Sequence, residues 1–106
     1  MLPGTNFGKA QAITTVGATC VTSANAYIIG VLIDSTASGT FQLWAGTTAT
    51  ATANGVPLCG AVGRSTATGV PNYLPFPAYA SGGITINIGG SSDPNVTLFW
   101  NPAGGA

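Results

Sequence analysis

The sequence predicts an all-β fold: a single antiparallel β-sandwich of about eight short strands. Glycine, proline, threonine and valine recur so often that no ten-residue window carries an apolar stripe at the 3.6-residue helical period. Apolar runs fall instead at intervals of about 8 to 12 residues between turn-forming segments, the spacing of a sandwich or small barrel. The 106 residues match one domain around one core. Disorder goes with low hydrophobicity and high net charge, whereas this chain is 45% apolar with a formal net charge of zero.

Residues 1–11 form an expected N-terminal arm, with Pro3 and Gly4 near its start. Such an arm can order on a neighbouring subunit, which makes Phe7 and Lys9 candidate contact residues. The sandwich is expected over residues 12–102, and 103–106 form a short tail. Strands are expected near 10–16 and 18–22, then over 27–34. The run Tyr27-Ile28-Ile29-Gly30-Val31-Leu32-Ile33 is apolar on both faces. It suits a central strand covered by the second sheet on one side and, on the other, by a partner subunit or by a loop or the N-terminal arm folded back over the sheet. Ile28 and Leu32 are therefore candidate partner contacts.

The next expected strand, 40–45, places Phe41, Leu43 and Ala45 on the core face and Trp44 opposite them, with Thr40 and Gln42. An outward Trp44 is a candidate anchor for a protein or a sugar ring, unless that face is also covered. Asn54-Gly55 signals a two-residue hairpin between strands 47–53 and 56–62, with Pro57 opposite Thr52. In the expected strand 72–79, Pro71, Pro75 and Pro77 have odd numbers, so their missing donors share one edge, as in an edge strand blunted against further pairing. Tyr73 and Tyr79 on this strand are the remaining candidate contacts. Ile84-Thr85-Ile86-Asn87-Ile88 and Val96-Thr97-Leu98-Phe99-Trp100 read as a hairpin, from strands near 84–88 and 95–101, whose alternate residues Ile84, Ile86, Ile88, Val96, Leu98 and Trp100 face the core.

Composition narrows function by what it omits. Only Lys9, Asp34, Arg64 and Asp93 carry formal charge, and there is no histidine. General acid–base catalysis draws mainly on histidine, carboxylates, lysine, tyrosine and cysteine. Both aspartates fall at turn positions that an Asx turn explains, so no catalytic residue is assigned and no enzyme is expected. Cys20 and Cys59 read as two buried, unpaired thiols in apolar runs. With no histidine to complete a tetrahedral set, no metal or other cofactor is expected. Two basic residues offer too few phosphate contacts for nucleic-acid binding. No apolar stretch approaches the roughly 20 residues of a membrane helix, and the first residues lack the pattern of a secretory signal, so export by that route is not expected. A soluble domain usually has about a quarter of its residues charged. A chain with 4% is suited to be part of something larger.

The unit Ile33-Asp34-Ser35-Thr36-Ala37-Ser38-Gly39-Thr40-Phe41-Gln42-Leu43-Trp44-Ala45-Gly46, the Ser81-Gly82-Gly83-Ile84 lead-in to a strand and the Asn95-Val96-Thr97-Leu98-Phe99-Trp100-Asn101 strand resemble small virion proteins of tailed bacteriophages. The similarity is one of texture and order and covers most of residues 12–101. It implies a single antiparallel β-sandwich, jelly-roll-like, made in the host cytoplasm and carried on the virion, with the capsid exterior as the expected place. The partners implied are the major capsid protein or other virion proteins, and a homo-oligomer, with a trimer favoured. The expected function is a non-enzymatic capsid decoration or cement protein that stabilises the assembled shell. The alternatives are a neck, tail or fibre β-module, and a carbohydrate-binding module using Trp44 or the tyrosines.

Overall fold

A computed structural model describes residues 8–34, 39–52, 54–63, 72–90 and 94–103. Among them are nine strands: β1 (Lys9–Ala12), β2 (Gly17–Thr22), β3 (Ala26–Ile33), β4 (Thr40–Gly46), β5 (Gly55–Pro57), β6 (Val62–Gly63), β7 (Asn72–Ala80), β8 (Ile84–Gly89) and β9 (Val96–Pro102). All ladders are antiparallel. A front sheet has the order β1-β9-β3-β7, and a back sheet the order β2-β8-β4-β5, with β6 also paired to β4. The two sheets form the expected sandwich.

β5 and β6 lie along one flank of β4, at Trp44–Gly46 and at Thr40–Phe41, while β8 occupies the other flank. Counted as one interrupted edge strand, they leave eight strands, with β7, β8 and β9 becoming the sixth, seventh and eighth. The sheet orders are then 1-8-3-6 and 2-7-4-5, the strand order of a jelly roll. The interruption is local. Leu58 N still donates to Leu43 O at 2.8 Å, after which the chain leaves β4 and the Gln42 amide reaches Cys59 O at 2.8 Å. The single strand expected over 56–62 is thus two short pieces.

Period-2 patterning builds the core. Ile84, Ile86 and Ile88 of the back sheet and Val96, Leu98 and Trp100 of the front sheet are all buried, joined by Ile28, Val31, Ile33, Phe41 and Leu43. Each such side chain contributes about 1.5–3 kcal/mol of burial free energy. The inward face of both runs is as expected, but their expected hairpin does not form. β8 pairs with β2 and β4, whereas β9 pairs with β1 and β3. The connection between β8 and β9 is long enough to cross the roughly 10 Å between packed sheets. The two apolar faces therefore meet across the interior instead of lying side by side.

Of three other expectations, two change and the third holds. The first strand is shorter than 10–16: it ends at Ala12, and Ile13, buried at 4% exposure, donates from its backbone to Val96 O. The chain then crosses to the back sheet, so the last residues of the expected arm, Lys9–Gln11, are sheet residues. Second, no strand runs over 47–53 among the described residues; Thr47 N and Thr48 N both donate to Asn54 O, and Thr52 and Gly55 exchange their backbone hydrogen bonds. Gly55 then opens β5, and Pro57 faces Trp44, not Thr52. Third, Pro71 lies outside the described residues, but β7, which holds Pro75 and Pro77, does form an edge of the front sheet.

Candidate functional site

The candidate site is the outer face of the front sheet. Strand alternation sends Leu98 and Trp100 inward and leaves Thr97, Phe99 and Asn101 outward on β9; on β7 it leaves Tyr73, Pro75, Pro77 and Tyr79 outward. On β3 the pattern changes phase. Register shifts between Ile28 and Gly30 against both neighbours, and Ile29 is unpaired. This β-bulge keeps Ile28 and Val31 in the core while Tyr27, Ile29 and Leu32 look outward. Ile28, expected as a contact, is 2% exposed and belongs to the core. Without the bulge Ile28 and Leu32 would share a face, which is why both were candidates.

The ladders then assemble the face. Tyr27 stands opposite Tyr79 on one side and Asn101 on the other, Leu32 opposite Tyr73 and Thr97, and Gly30 opposite Pro75 and Phe99. The Tyr27 and Tyr79 rings are 5.2 Å apart and tilted by 54°; Tyr73 and Phe99 meet edge-to-face at 6.0 Å and 68°. Gly30 is the seat of the second pair: a Cβ there would collide with the Tyr73 phenol. Tyr27, Tyr73 and Tyr79 remain 52%, 44% and 48% exposed, and none of the outward residues named on β3, β7 and β9 carries a charge. The result is an aromatic, uncharged platform. Such rings present much contact area and have few rotatable bonds to immobilise on binding.

Leu32, Tyr73 and Tyr79 are the candidates that come together here, with Leu32 half-buried. Lys9 is exposed on β1, but its ammonium turns onto the Trp100 ring, 5.4 Å from the centroid. Phe7 lies outside the described residues. Trp44 faces away from the Phe41, Leu43 and Ala45 side of β4 yet is only 8% exposed, and its buried Nε1–H has no acceptor among the described residues. An outward anchor at Trp44 is therefore corrected to a covered side chain. Ile29 and Phe99 were not among the expected contacts, and Tyr27 was expected only among the tyrosines of a sugar-binding face. The signal for Phe99 was present, since the core set Val96, Leu98 and Trp100 puts it outward. For Ile29 there was none, because the bulge is not written in the alternation.

A groove of about 390 Å³ adjoins this face, lined by Ala45, Thr47, Asn54, Val56, Tyr79 and Ser81 among others. Its walls are held by backbone geometry. Gly46, at φ +119°, sits where a Cβ would strike the Asn54 carbonyl, and Gly46 N donates to Gly83 O at 2.8 Å. Gly82 N donates to Asn25 Oδ1 at 2.7 Å. No charged group lines the groove among the described residues. A second groove, of about 360 Å³, includes Asp34 and Asn95 at the end of β3. Asp34 N donates to Asn95 O at 2.9 Å, and Asp93 and Arg64 lie outside the described residues. No cluster of three or more metal-ligating side chains occurs among the described residues.

The cysteines differ from expectation in burial. Cys20 is exposed and Cys59 half-buried, both as free thiols. Cys20 is on β2 and Cys59 follows β5, at opposite edges of the back sheet. Three strand spacings, about 14 Å, separate those edges, beyond the Cα reach of a disulfide. No protein-family model, curated protein or solved structure matches the chain.

Proposed function

We propose that this chain is a non-enzymatic structural protein of a phage virion, a decoration or cement protein that docks on the assembled capsid through the outer face of its front sheet. The observation that carries the reading is the uncharged platform on which three tyrosines, at 44–52% exposure, are held by ring contacts and a glycine seat. Exposed aromatic clusters of this kind are typical anchors of protein interfaces. The jelly-roll order agrees with the reading, since virion shells use this architecture widely, though lectins use it too. Cementing follows from linkage: a chain that binds only assembled subunits stabilises the assembly by mass action, and symmetric repetition converts a weak single contact into avidity.

The test is to add purified chain to capsids that lack it and to measure bound copies and capsid melting temperature. Binding in hundreds of copies with a raised melting temperature is expected for decoration, whereas a handful of copies indicates a neck, tail or fibre module. A Tyr73→Ala/Tyr79→Ala variant is expected to lose affinity by roughly tenfold or more. Full occupancy by that variant, or no binding by the wild type, overturns the reading. A second reading, binding of a neutral glycan, is favoured by the uncharged groove beside Tyr79. It is decided by the same variant on a glycan array, where wild-type binding lost with Tyr79 supports it and the absence of any wild-type hit removes it.

A further inference from the structure

We infer that the free edge of β2 pairs with β2 of a second copy of this chain, antiparallel and about a twofold axis normal to the back sheet, so that two back sheets become one. The inference stands on the sheet edges and does not depend on the capsid reading. A sandwich has four edges, and every edge strand presents unpaired N–H and C=O groups that another strand can take up. Three of the four are guarded here among the described residues. β7 carries Pro75 and Pro77. The edge formed by β5 and β6 is broken into three- and two-residue pieces and carries Pro57. β1 carries Lys9, a charge on the edge strand itself.

β2 has none of these devices along Gly17-Ala18-Thr19-Cys20. It runs for six residues, Gly17–Thr22, pairs with β8 alone among the described residues, and contains neither proline nor charge. Its one irregularity, between Cys20 and Thr22, ends the regular stretch and confines pairing to Gly17–Cys20. A chain with a formal net charge of zero also lacks the long-range repulsion that keeps like molecules apart. Three blunted edges beside one open edge make a surface that accepts one neighbour and stops. Closure about a twofold is what an isologous strand pair provides. This geometry makes a pair of chains where the resemblance implies a trimer.

The axis normal to the sheet fixes which side chains meet. The outer face of one back sheet continues into the outer face of the other, so Ala18 and Cys20, both exposed, lie beside Ala18 and Cys20 of the second copy. Like charges placed there oppose each other directly. The experiment is analytical ultracentrifugation of the intact chain over a concentration series in reducing buffer, with hydrogen exchange read at the β2 amides. The wild type is expected to rise in mass from one chain to two, with β2 amides slowing as the dimer fills. Ala18→Lys/Cys20→Lys is expected to stay monomeric with an unchanged circular-dichroism spectrum. Ala10→Lys, on the neighbouring edge β1, is expected to dimerise as the wild type does, which separates loss of pairing from a general effect of charge. A wild type that remains monomeric, a mass of three chains, a dimer untouched by the two β2 lysines, or β2 amides insensitive to concentration overturns the proposal.

Discussion

At the scale of single residues, Trp44 has a buried indole N–H without an acceptor among the described residues, at 8% exposure. A buried donor left unsatisfied costs about 1–3 kcal/mol. Replacing Trp44 by phenylalanine removes that donor and keeps an aromatic ring in place, so the lost orphan offsets the lost volume. Trp44→Phe is expected to change unfolding free energy by less than about 1.5 kcal/mol, whereas Trp44→Ala costs about 3–5 kcal/mol, both measured by urea titration. Thr85 on the neighbouring strand shows the satisfied alternative: it stands opposite Trp44, is 1% exposed, and donates its hydroxyl to Gly46 O at 2.9 Å. Sequence alternation placed Trp44 away from the core correctly. It carried no information on whether the far face is covered, because cover comes from elsewhere in the chain.

At the scale of elements, edges and bulges decide what the sheets offer to a partner. β7 was legible as an edge from its prolines, since a residue without an N–H is tolerated where one flank of the strand is free. Pro75 and Pro77 are both exposed on it. Restoring donors with Pro75→Thr/Pro77→Thr is expected to open a second sticky edge. Light scattering should then show growth beyond a dimer that increases with concentration, while a variant that behaves as the wild type shows that the prolines do not guard the edge. The bulge at Ile29 was not legible. An unbroken apolar run from Tyr27 to Ile33 contains no residue that marks where one position is inserted, and only pairing with β7 and β9 shifts the phase. That shift separates Ile28 from Leu32 and sets Tyr27 beside Tyr79. Likewise the alternation of β8 and β9 was read correctly for facing, but not for partnership.

At the scale of the molecule, the accessible surface is 5591 Å², against about 5400 Å² expected for a folded monomer of this mass. The Cα radius of gyration is 13.5 Å, against about 13 Å for a compact domain of this length. The chain therefore has no large excess of surface that only a partner can cover, and the isolated chain is expected to unfold in one cooperative transition. If two copies pair through β2, that transition also depends on concentration: the melting temperature rises with protein concentration for the wild type and is flat for the Ala18→Lys/Cys20→Lys variant. A flat series for both speaks against a populated dimer. By itself the sequence determined the all-β class, the two-layer sandwich, the inward residues of β4, β8 and β9, and the proline edge. Each of these follows from local rules, a two-residue period and the backbone limits of proline and glycine. Only the tertiary structure decided which strands are neighbours, where β3 changes phase, that Trp44 is covered, and that Tyr27, Tyr73 and Tyr79 share one face. Those depend on residues far apart in the chain, and a period of two records which way a side chain points without recording what it will meet.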